Sequence, residues 1–178
     1  RGIEKRNDLE KNAKKLKMKV IVITAMFPTA DRPSWGTFVK EQVASLKNEG
    51  VDVEVFAFDG QGSALNYLKA GFALRGIVKK KDYDLVHAHY GLTGAAALMQ
   101  STVPVVITFH GSDLLGEVGS SKKYTFSGKI KTWISRWAAY NADGRIIVAD
   151  VLKEKLGSLS SVTIPMGVDL SIFKPMNR

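Results

Sequence analysis

The chain contains no cysteine. That absence excludes disulfides, thiolate nucleophiles and cysteine-ligated zinc, and it suits a reducing compartment. Long apolar runs are missing as well, since no stretch approaches the roughly 18 residues that a membrane span requires. The first 19 residues are charged rather than apolar, so we expect no secretory leader. Together these absences predict a cytoplasmic protein, in which any association with a membrane is made at the protein surface.

The net charge of +9 is concentrated at the start of the chain. Residues 1–19 hold eight basic and three acidic side chains, a net of +5, which leaves +4 for all the rest. The rest lacks the arginine-rich or aromatic-interleaved patterns of nucleic-acid recognition. We therefore predict no nucleic-acid partner, and we treat residues 1–17 as a basic leader or extension.

Short apolar runs alternate with amphipathic stretches along the remainder. Runs rich in β-branched residues predict strands at 20–25, 51–58, 84–89 and 103–109, followed by shorter strands at 145–148 and 162–164. A helix is predicted at 127–141, and we expect its Trp133 and Trp137 to face the core. Parallel strands need crossover helices, so the pattern predicts a doubly wound, mostly parallel Rossmann-like α/β sheet in three αβα layers. This domain occupies residues 18–166, and residues 167–178 begin an interdomain linker.

The first candidate site follows strand one. In doubly wound sheets, ligands bind beyond the carboxyl ends of the strands, where the strand order reverses. The loop after strand one ends at Gly36 and a helix begins near Thr37, so the backbone N–H groups of both residues would face an incoming phosphate. The alternative is an ordinary loop with a glycine, since the G-x-G-x-x-G spacing is lacking.

A second polar group follows strand four, where His110, Gly111, Ser112 and Asp113 stand in sequence. In the strand order 3-2-1-4-5-6, strand four lies beside strand one, so we expect His110 to face the loop of Gly36. A histidine there can donate a hydrogen bond or carry charge beside a leaving phosphate or a reacting carbon. Asp113 has an alternative explanation as the N-cap of the next segment.

A third pair of polar residues, His87 and His89, ends strand three and points to one face of the sheet. Together with Asp113 they could imitate a metal site. No further histidine, cysteine or acidic cluster completes a ligand set, so we favour a structural pair and predict no bound metal.

Four ordered segments carry a family resemblance. They are 27–46, with Gly36-Thr37-Phe38-Val39 and Glu41-Gln42-Val43; 84–91, which ends in His89-Tyr90-Gly91; 104–113, which ends in His110-Gly111-Ser112-Asp113; and 164–169 with 173–175. In this order they resemble the first half of family 4 glycosyltransferases, which are retaining enzymes of the GT-B fold. Two departures are Ala149-Asp150, where the family usually has a serine, and Met166, where asparagine is common.

The resemblance implies an N-terminal, acceptor-binding domain of an enzyme that moves a sugar from a nucleotide-sugar donor to a sugar or lipid-linked acceptor. It implies that Gly36 approaches the donor diphosphate, beside the Thr37 N–H that the helix start already places there, and that His110, the catalytic residue, lies against the transferred sugar. The other residues that it places at the acceptor or the cleft are His89, Tyr90, Gly111, Ser112 and Asp113. Such transfer uses no cofactor, since the nucleotide sugar is itself a substrate.

Three further expectations accompany this resemblance. The family's C-terminal donor-binding domain lies outside these 178 residues, so we expect the chain alone to be inactive. A non-enzymatic nucleotide- or phosphate-binding module that acts through a partner chain is one alternative, and a metal-dependent hydrolase using His87, His89 and Asp113 is another. The basic, amphipathic residues 65–81 and the leader suggest docking on an anionic membrane surface, although a solvated helix face explains them too.

Overall fold

The computed structural model describes residues 17–61, 63–116 and 125–167. Strands and helices alternate along this part of the chain. The strands are β1 (Lys19–Thr24), β2 (Asp52–Ala57), β3 (Leu85–His89), β4 (Val105–Phe109), β5 (Gly144–Ile147) and β6 (Val162–Thr163). The helices are α1 (Thr37–Asn48), α2 (Ala64–Lys80), α3 (Gly91–Ala97), α4 (Ser112–Leu115), α5 (Phe126–Asn141) and α6 (Lys153–Leu156), which follows a 3-10 turn at Asp150–Leu152.

The strands of the described sheet are all parallel and lie in the order β2-β1-β3-β4-β5-β6. In β1, Val22 lies opposite Val55 of β2 on one side and His87 of β3 on the other. The predicted Rossmann-like α/β class is thereby confirmed. The predicted order 3-2-1-4-5-6 is wrong, because β3 lies between β1 and β4. Either order can be built from right-handed crossovers over amphipathic helices, so hydrophobic periodicity cannot distinguish them.

Alternate side chains of each strand enter two apolar layers, one on each face of the sheet. Ile23 belongs to the layer covered by α2, α3 and α5. Val22 belongs to the opposite layer, where it packs with Val39 and Val43 of α1. The sheet is therefore covered by helices on both faces, as a parallel sheet requires.

Small residues decide how α5 packs. Gly128, Ser135, Ala138 and Ala139 are its buried residues, and a Cβ atom added to Gly91 of α3 would lie 2.2 Å from the Ser135 side chain. Because the two helices approach so closely, large side chains do not fit between them. Trp133 and Trp137 are 68% and 47% exposed, so the expectation that they face the core is wrong.

Two predicted segments lie almost entirely outside the described residues, namely the leader 1–17 and the linker 167–178. Both stay predictions. Within the ranges described, no helix combines the length and the apolar character needed to cross a bilayer.

Candidate functional site

The turn after β1 is fixed by Thr24, which is fully buried. Its hydroxyl accepts a hydrogen bond from the Met26 N–H at 3.1 Å and donates one to the Met26 carbonyl at 2.9 Å. The chain then returns to Gly36, whose φ of +69° is left-handed. A Cβ atom at Gly36 would lie 2.4 Å from the Met26 carbonyl oxygen, so the local backbone of the loop itself requires glycine here.

The N-terminus of α1 opens at this turn. Gly36 is its N-cap, and no side chain caps the helix. The first N–H groups of a helix have no partner within the helix, and they carry its positive end. The structure places both residues at the predicted helix start, with Gly36 as the N-cap and Thr37 as the first helical residue. Gly36 is buried, whereas Thr37 is exposed. Their binding of a diphosphate stays a prediction.

Tyr90 joins β3 to α3 in a strained conformation. Its φ of +72° is the one positive value of a non-glycine residue in the described ranges, and such values cost on the order of 1 kcal/mol or more. The Tyr90 N–H donates to the Thr108 carbonyl at 3.0 Å, which holds the turn against β4. The ring of Tyr90 lies 4.5 Å from the ring of His110. A strained backbone conformation persists only where the surrounding structure holds it in place, and such residues cluster at functional sites.

Asp113 ties the ends of β3 and β4 together. Its buried carboxylate accepts hydrogen bonds from the backbone N–H groups of Gly111 at 2.9 Å, His110 at 3.2 Å and Gly91 at 3.2 Å. Burial raises the pKa of Asp113, and these backbone donors oppose the rise. The N-cap explanation is wrong, since Gly111 caps α4 and Asp113 lies in its first turn. Its donors lie in two separate turns, so Asp113 organises the site rather than ending one helix.

We expect Asp113→Ala to lower the free energy of unfolding by about 3 kcal/mol, because buried backbone N–H groups lose their acceptor. Urea denaturation measures this loss. Asp59→Ala is the matched control, since Asp59 accepts from the Gln61 N–H at an exposed turn and its loss is expected to cost less than about 1 kcal/mol. Equal losses in the two variants would contradict the organising role of Asp113.

The three histidines of the chain form one group of adjacent rings, the histidine stack, at the carboxyl edge of the sheet, in which His89 and His110 are stacked and His87 is tilted against His89. Ring centroids of His87 and His89 are 4.7 Å apart, and those of His89 and His110 are 5.3 Å apart. His89 Nδ1 lies 3.1 Å from His110 Nε2, and His87 Nε2 lies 2.7 Å from the Thr108 hydroxyl. Nε2 of His89 is buried without a hydrogen-bond partner in the described structure. The structure thus brings the predicted residues His89 and His110 into direct contact.

Burial keeps this group uncharged. Desolvation lowers the pKa of His87 to about 4 and that of His110 to about 4. It also lowers the pKa of His89 well below its usual value, and the charges that His87 and His110 would carry lower it further. Of the two roles expected for His110, hydrogen bonding is therefore favoured over a standing positive charge near neutral pH.

The lowered histidine pKa values predict acid sensitivity. A histidine with a pKa of about 4 in the folded chain and about 6.5 in the unfolded chain binds its proton mainly when unfolded, so acidification through this window favours unfolding. We expect His87 alone to remove about 2 kcal/mol of stability between pH 7.5 and pH 5. Asp113 acts in the opposite direction, because burial raises its pKa.

Urea denaturation at the two pH values, with the wild type and with His87→Gln, tests this prediction. The glutamine side chain is uncharged at both values, so the pH-dependent loss is expected to be smaller in the variant by about the same 2 kcal/mol. The same pH dependence in both proteins would contradict it.

Phe38, which was not among the predicted site residues, connects the two halves of the site. Its ring lies 4.8 Å from the ring of His110 and 6.3 Å from the rings of His89 and Tyr90. The expected meeting of His110 with the Gly36 region is thus made through Phe38, and not through adjacency of β1 and β4. Its position two residues after the N-cap glycine was the available signal, since that position faces the same sheet edge.

Ser112 begins α4, two residues after His110, and is exposed. In the described ranges, no group of three or more histidine, cysteine, aspartate or glutamate residues could hold a metal ion. His87 instead pairs with Thr108, and both oxygens of Asp113 accept backbone hydrogen bonds.

Comparison with known proteins gives one consistent result. A family model described as Glycosyltransferase Family 4 matches residues 8–172. A putative teichuronic acid biosynthesis glycosyltransferase, TuaC of Bacillus subtilis, is 26% identical over 88% of this chain and 51% of its own length. An uncharacterized glycosyltransferase of Methanocaldococcus jannaschii, MJ1178, is 31% identical over 56% of this chain and 26% of its own length.

A solved structure shares the fold. Sucrose-phosphate synthase from Thermosynechococcus elongatus superposes with a TM-score of 0.68 at 16% identity, over 89% of this chain and 50% of that one. The chain spans about half the length of TuaC and of the synthase, and about a quarter of that of MJ1178.

Proposed function

Because the chain belongs to glycosyltransferase family 4, we propose that it is the acceptor-binding half of a retaining enzyme that transfers a sugar from a nucleotide-sugar donor to a sugar or lipid-linked acceptor. The observation that carries this proposal is the meeting of His110, Tyr90 and Phe38 beside the uncapped N-terminus of α1. The second half of the active site comes from a C-terminal donor-binding domain, and the chain alone is inactive. Its coverage of half of TuaC and of the synthase supports this division.

The donor diphosphate is assigned to the N-terminus of α1. Free N–H groups and the positive end of the helix attract an anion, and no side chain of the turn occupies that end. Gly36 acts indirectly: it lets the chain pass against the Met26 carbonyl and thereby sets the direction of α1. Thr37 is exposed and has room to meet the phosphates.

The contacts within the histidine stack favour one position for the proton of His110. A buried N–H without an acceptor is less favourable than a buried lone pair without a donor. Since His89 Nε2 has no partner, we assign the His89 proton to Nδ1, from which it is donated to His110 Nε2 across 3.1 Å. Neutral His110 then carries its own proton on Nδ1. That nitrogen is the donor that His110 offers to the reacting sugar or its leaving group.

In the proposed reaction, the bond between the sugar carbon and the diphosphate oxygen breaks while the acceptor oxygen bonds to the same carbon from the same face. The acceptor hydroxyl proton passes to the departing diphosphate, so charge and atoms balance. The protein's own contribution is to hold the reactants and to stabilise the charge that develops on the leaving group. A neutral hydrogen-bond donor such as His110 suits that task.

The deciding experiment joins the chain to a donor-binding half and compares the joined protein with the chain alone. A panel of nucleotide sugars is screened for release of nucleoside diphosphate, and the anomeric configuration of the product is assigned by NMR. We expect turnover with retained configuration only in the joined protein. Inverted configuration would contradict retention, and turnover by the chain alone would contradict the division into halves. Binding of nucleotide sugars without turnover by the joined protein would favour the non-enzymatic module.

A further inference from the structure

One face of the molecule is formed by α2 and α5, with the shorter α3 between them. Gly71 of α2 approaches α3 so closely that an added Cβ would lie 2.8 Å from the Ala96 carbonyl, and Gly91 of α3 approaches Ser135 of α5 in the same way. The buried sides of α2 and α5 enter the same core layer. Their outer sides therefore point away from the sheet together, and we call this surface the α2–α5 face.

An apolar stripe runs along the outer side of α5. Its members recur at intervals of four, three, four and three residues, the spacing that places side chains on one side of a helix. They are Phe126 (79% exposed), Ile130 (45%), Trp133 (68%), Trp137 (47%) and Tyr140 (74%). Nothing in the described structure covers this stripe, although a helix of a globular domain ordinarily exposes polar residues there.

α2 adds a second apolar group to the same face. Leu65, Leu68 and Phe72 are 54%, 51% and 64% exposed and lie on one side of the helix. Thus eight of the thirteen exposed large hydrophobic residues in the described ranges belong to α2 and α5. None belongs to α1, which covers the opposite face of the sheet. The exposed apolar surface is concentrated on one side, and such concentration marks an interaction surface.

The charge of this face is of one sign. α2 and α5 contain no aspartate or glutamate, and they contain seven basic residues: Lys69, Arg75, Lys79, Lys80, Lys129, Lys131 and Arg136. Lys129 and Arg136 lie four residues before and three residues after Trp133, so they flank the stripe. On α1, by contrast, two lysines accompany Glu41. A partner that fits the α2–α5 face must therefore be both apolar and negatively charged.

We propose that the α2–α5 face docks on the surface of a bilayer that contains anionic phospholipid. Tryptophan, tyrosine and phenylalanine side chains enter the boundary between headgroups and acyl chains, where amphipathic rings are favoured, while lysine and arginine contact the lipid phosphates.

A second copy of the chain fits poorly, because two faces that carry only positive charge repel each other. The arginine-rich pattern of nucleic-acid binding is also lacking on these helices. This inference is independent of the proposed sugar transfer.

The test is co-sedimentation of the 178-residue chain with vesicles of phosphatidylcholine, with and without phosphatidylglycerol. We expect binding only to the vesicles that contain phosphatidylglycerol. The affinity is expected to fall at least about tenfold between low and physiological salt, because salt screens the attraction between the basic residues and the lipid phosphates. Trp133→Ser combined with Trp137→Ser, and separately Arg75→Gln combined with Arg136→Gln, are each expected to weaken binding by about tenfold or more. These positions are exposed, so the variants are expected to keep the circular dichroism spectrum of the wild type.

The matched control changes the opposite face. Lys40→Gln combined with Lys47→Gln on α1 removes the same number of charges as the arginine variant and is expected to leave binding unchanged. The leader is kept in all proteins, so its charge does not differ between them. Fluorescence supplies a second measurement: in a Trp35→Phe background only Trp133 and Trp137 emit, and brominated lipid is expected to quench them.

Several results would overturn the proposal. They are equal binding by all the variants, equal binding to vesicles without phosphatidylglycerol, and no quenching of Trp133 and Trp137. Absence of vesicle binding together with dimerisation that Trp133→Ser and Trp137→Ser abolish would assign the face to a second copy, and retention of RNA instead of vesicles would assign it to nucleic acid.

Discussion

His110→Ala is expected to reduce sugar transfer by the joined enzyme by about 10²- to 10³-fold, the loss typical of removing one preorganised donor to developing charge. His110 is held by contacts with the rings of His89, Tyr90 and Phe38, so its donor is fixed before the reactants arrive. Alanine removes the donor and leaves the backbone bonds of Asp113 in place. We therefore expect kcat to fall more than KM rises, as measured by the release of nucleoside diphosphate over a range of donor concentrations.

Two control variants separate this role from a general disturbance of the stack. His110→Gln keeps an N–H donor on a side chain of related length and is expected to lose less activity than His110→Ala. His87→Gln changes a buried histidine that pairs with Thr108, and its kcat is expected to stay within a few-fold of the wild type. Wild-type turnover by His110→Ala would contradict the assignment, and equal losses in His87→Gln would assign the effect to packing.

The pH dependence gives an independent check of the same role. Because burial lowers the pKa of His110 to about 4, its neutral form prevails throughout the range from about pH 5.5 to 8. We expect His110 to contribute no titration to kcat in that range. A cationic histidine would instead lose its proton, and with it activity, as the pH rises through this range, so such a fall in kcat would contradict the neutral role of His110.

The α/β class of the fold was predictable because buried parallel strands have a recognisable local sequence pattern. The β-branched run of β1 and the alternating apolar residues of β2 identify strands without any tertiary information. Strand order is different, since it depends on the side to which each crossover helix carries the chain. The segment between β2 and β3 places β3 on the free side of β1, and the placement of β4 beyond it follows. The sequence of the crossover helices does not indicate on which side of β1 the next strand is placed.

The candidate site was predictable in position but not in its contacts. The carboxyl ends of parallel strands share one edge, so His89 and His110 were expected at the same edge of the sheet. The predicted order 3-2-1-4-5-6 separated their strands, however, and their direct contact follows from the observed adjacency of β3 and β4. The contact of the Phe38 ring of α1 with His110, and the hydrogen bond from the Gly91 N–H to Asp113, depend on tertiary structure and could not be predicted from local sequence. Trp133 and Trp137 show the same limit: their spacing marks one side of a helix, but the small residues of α5 and α3 decide which side is buried.

Gly36→Ala is expected to lower the free energy of unfolding by about 3 kcal/mol, as the sum of two effects. An L-residue at a φ of +69° costs about 1 kcal/mol. The added Cβ would also lie 2.4 Å from the Met26 carbonyl oxygen, which Thr24 holds in place, so the backbone of the loop or the start of α1 must move. That movement carries Phe38 away from His110, and we expect transfer by the joined enzyme to fall together with stability.

Gly50→Ala is the matched control for this prediction. Gly50 follows α1 with a φ of +86°, but a Cβ atom added there would meet nothing within 4 Å. Its replacement therefore carries the conformational penalty without the steric one, and we expect a loss of about 1 kcal/mol. Urea denaturation of the two variants isolates the contact with Met26 as their difference, about 2 kcal/mol. Equal losses would mean that the loop accommodates a side chain at Gly36, and the glycine would then be explained by its φ alone and not by the close passage that orients α1.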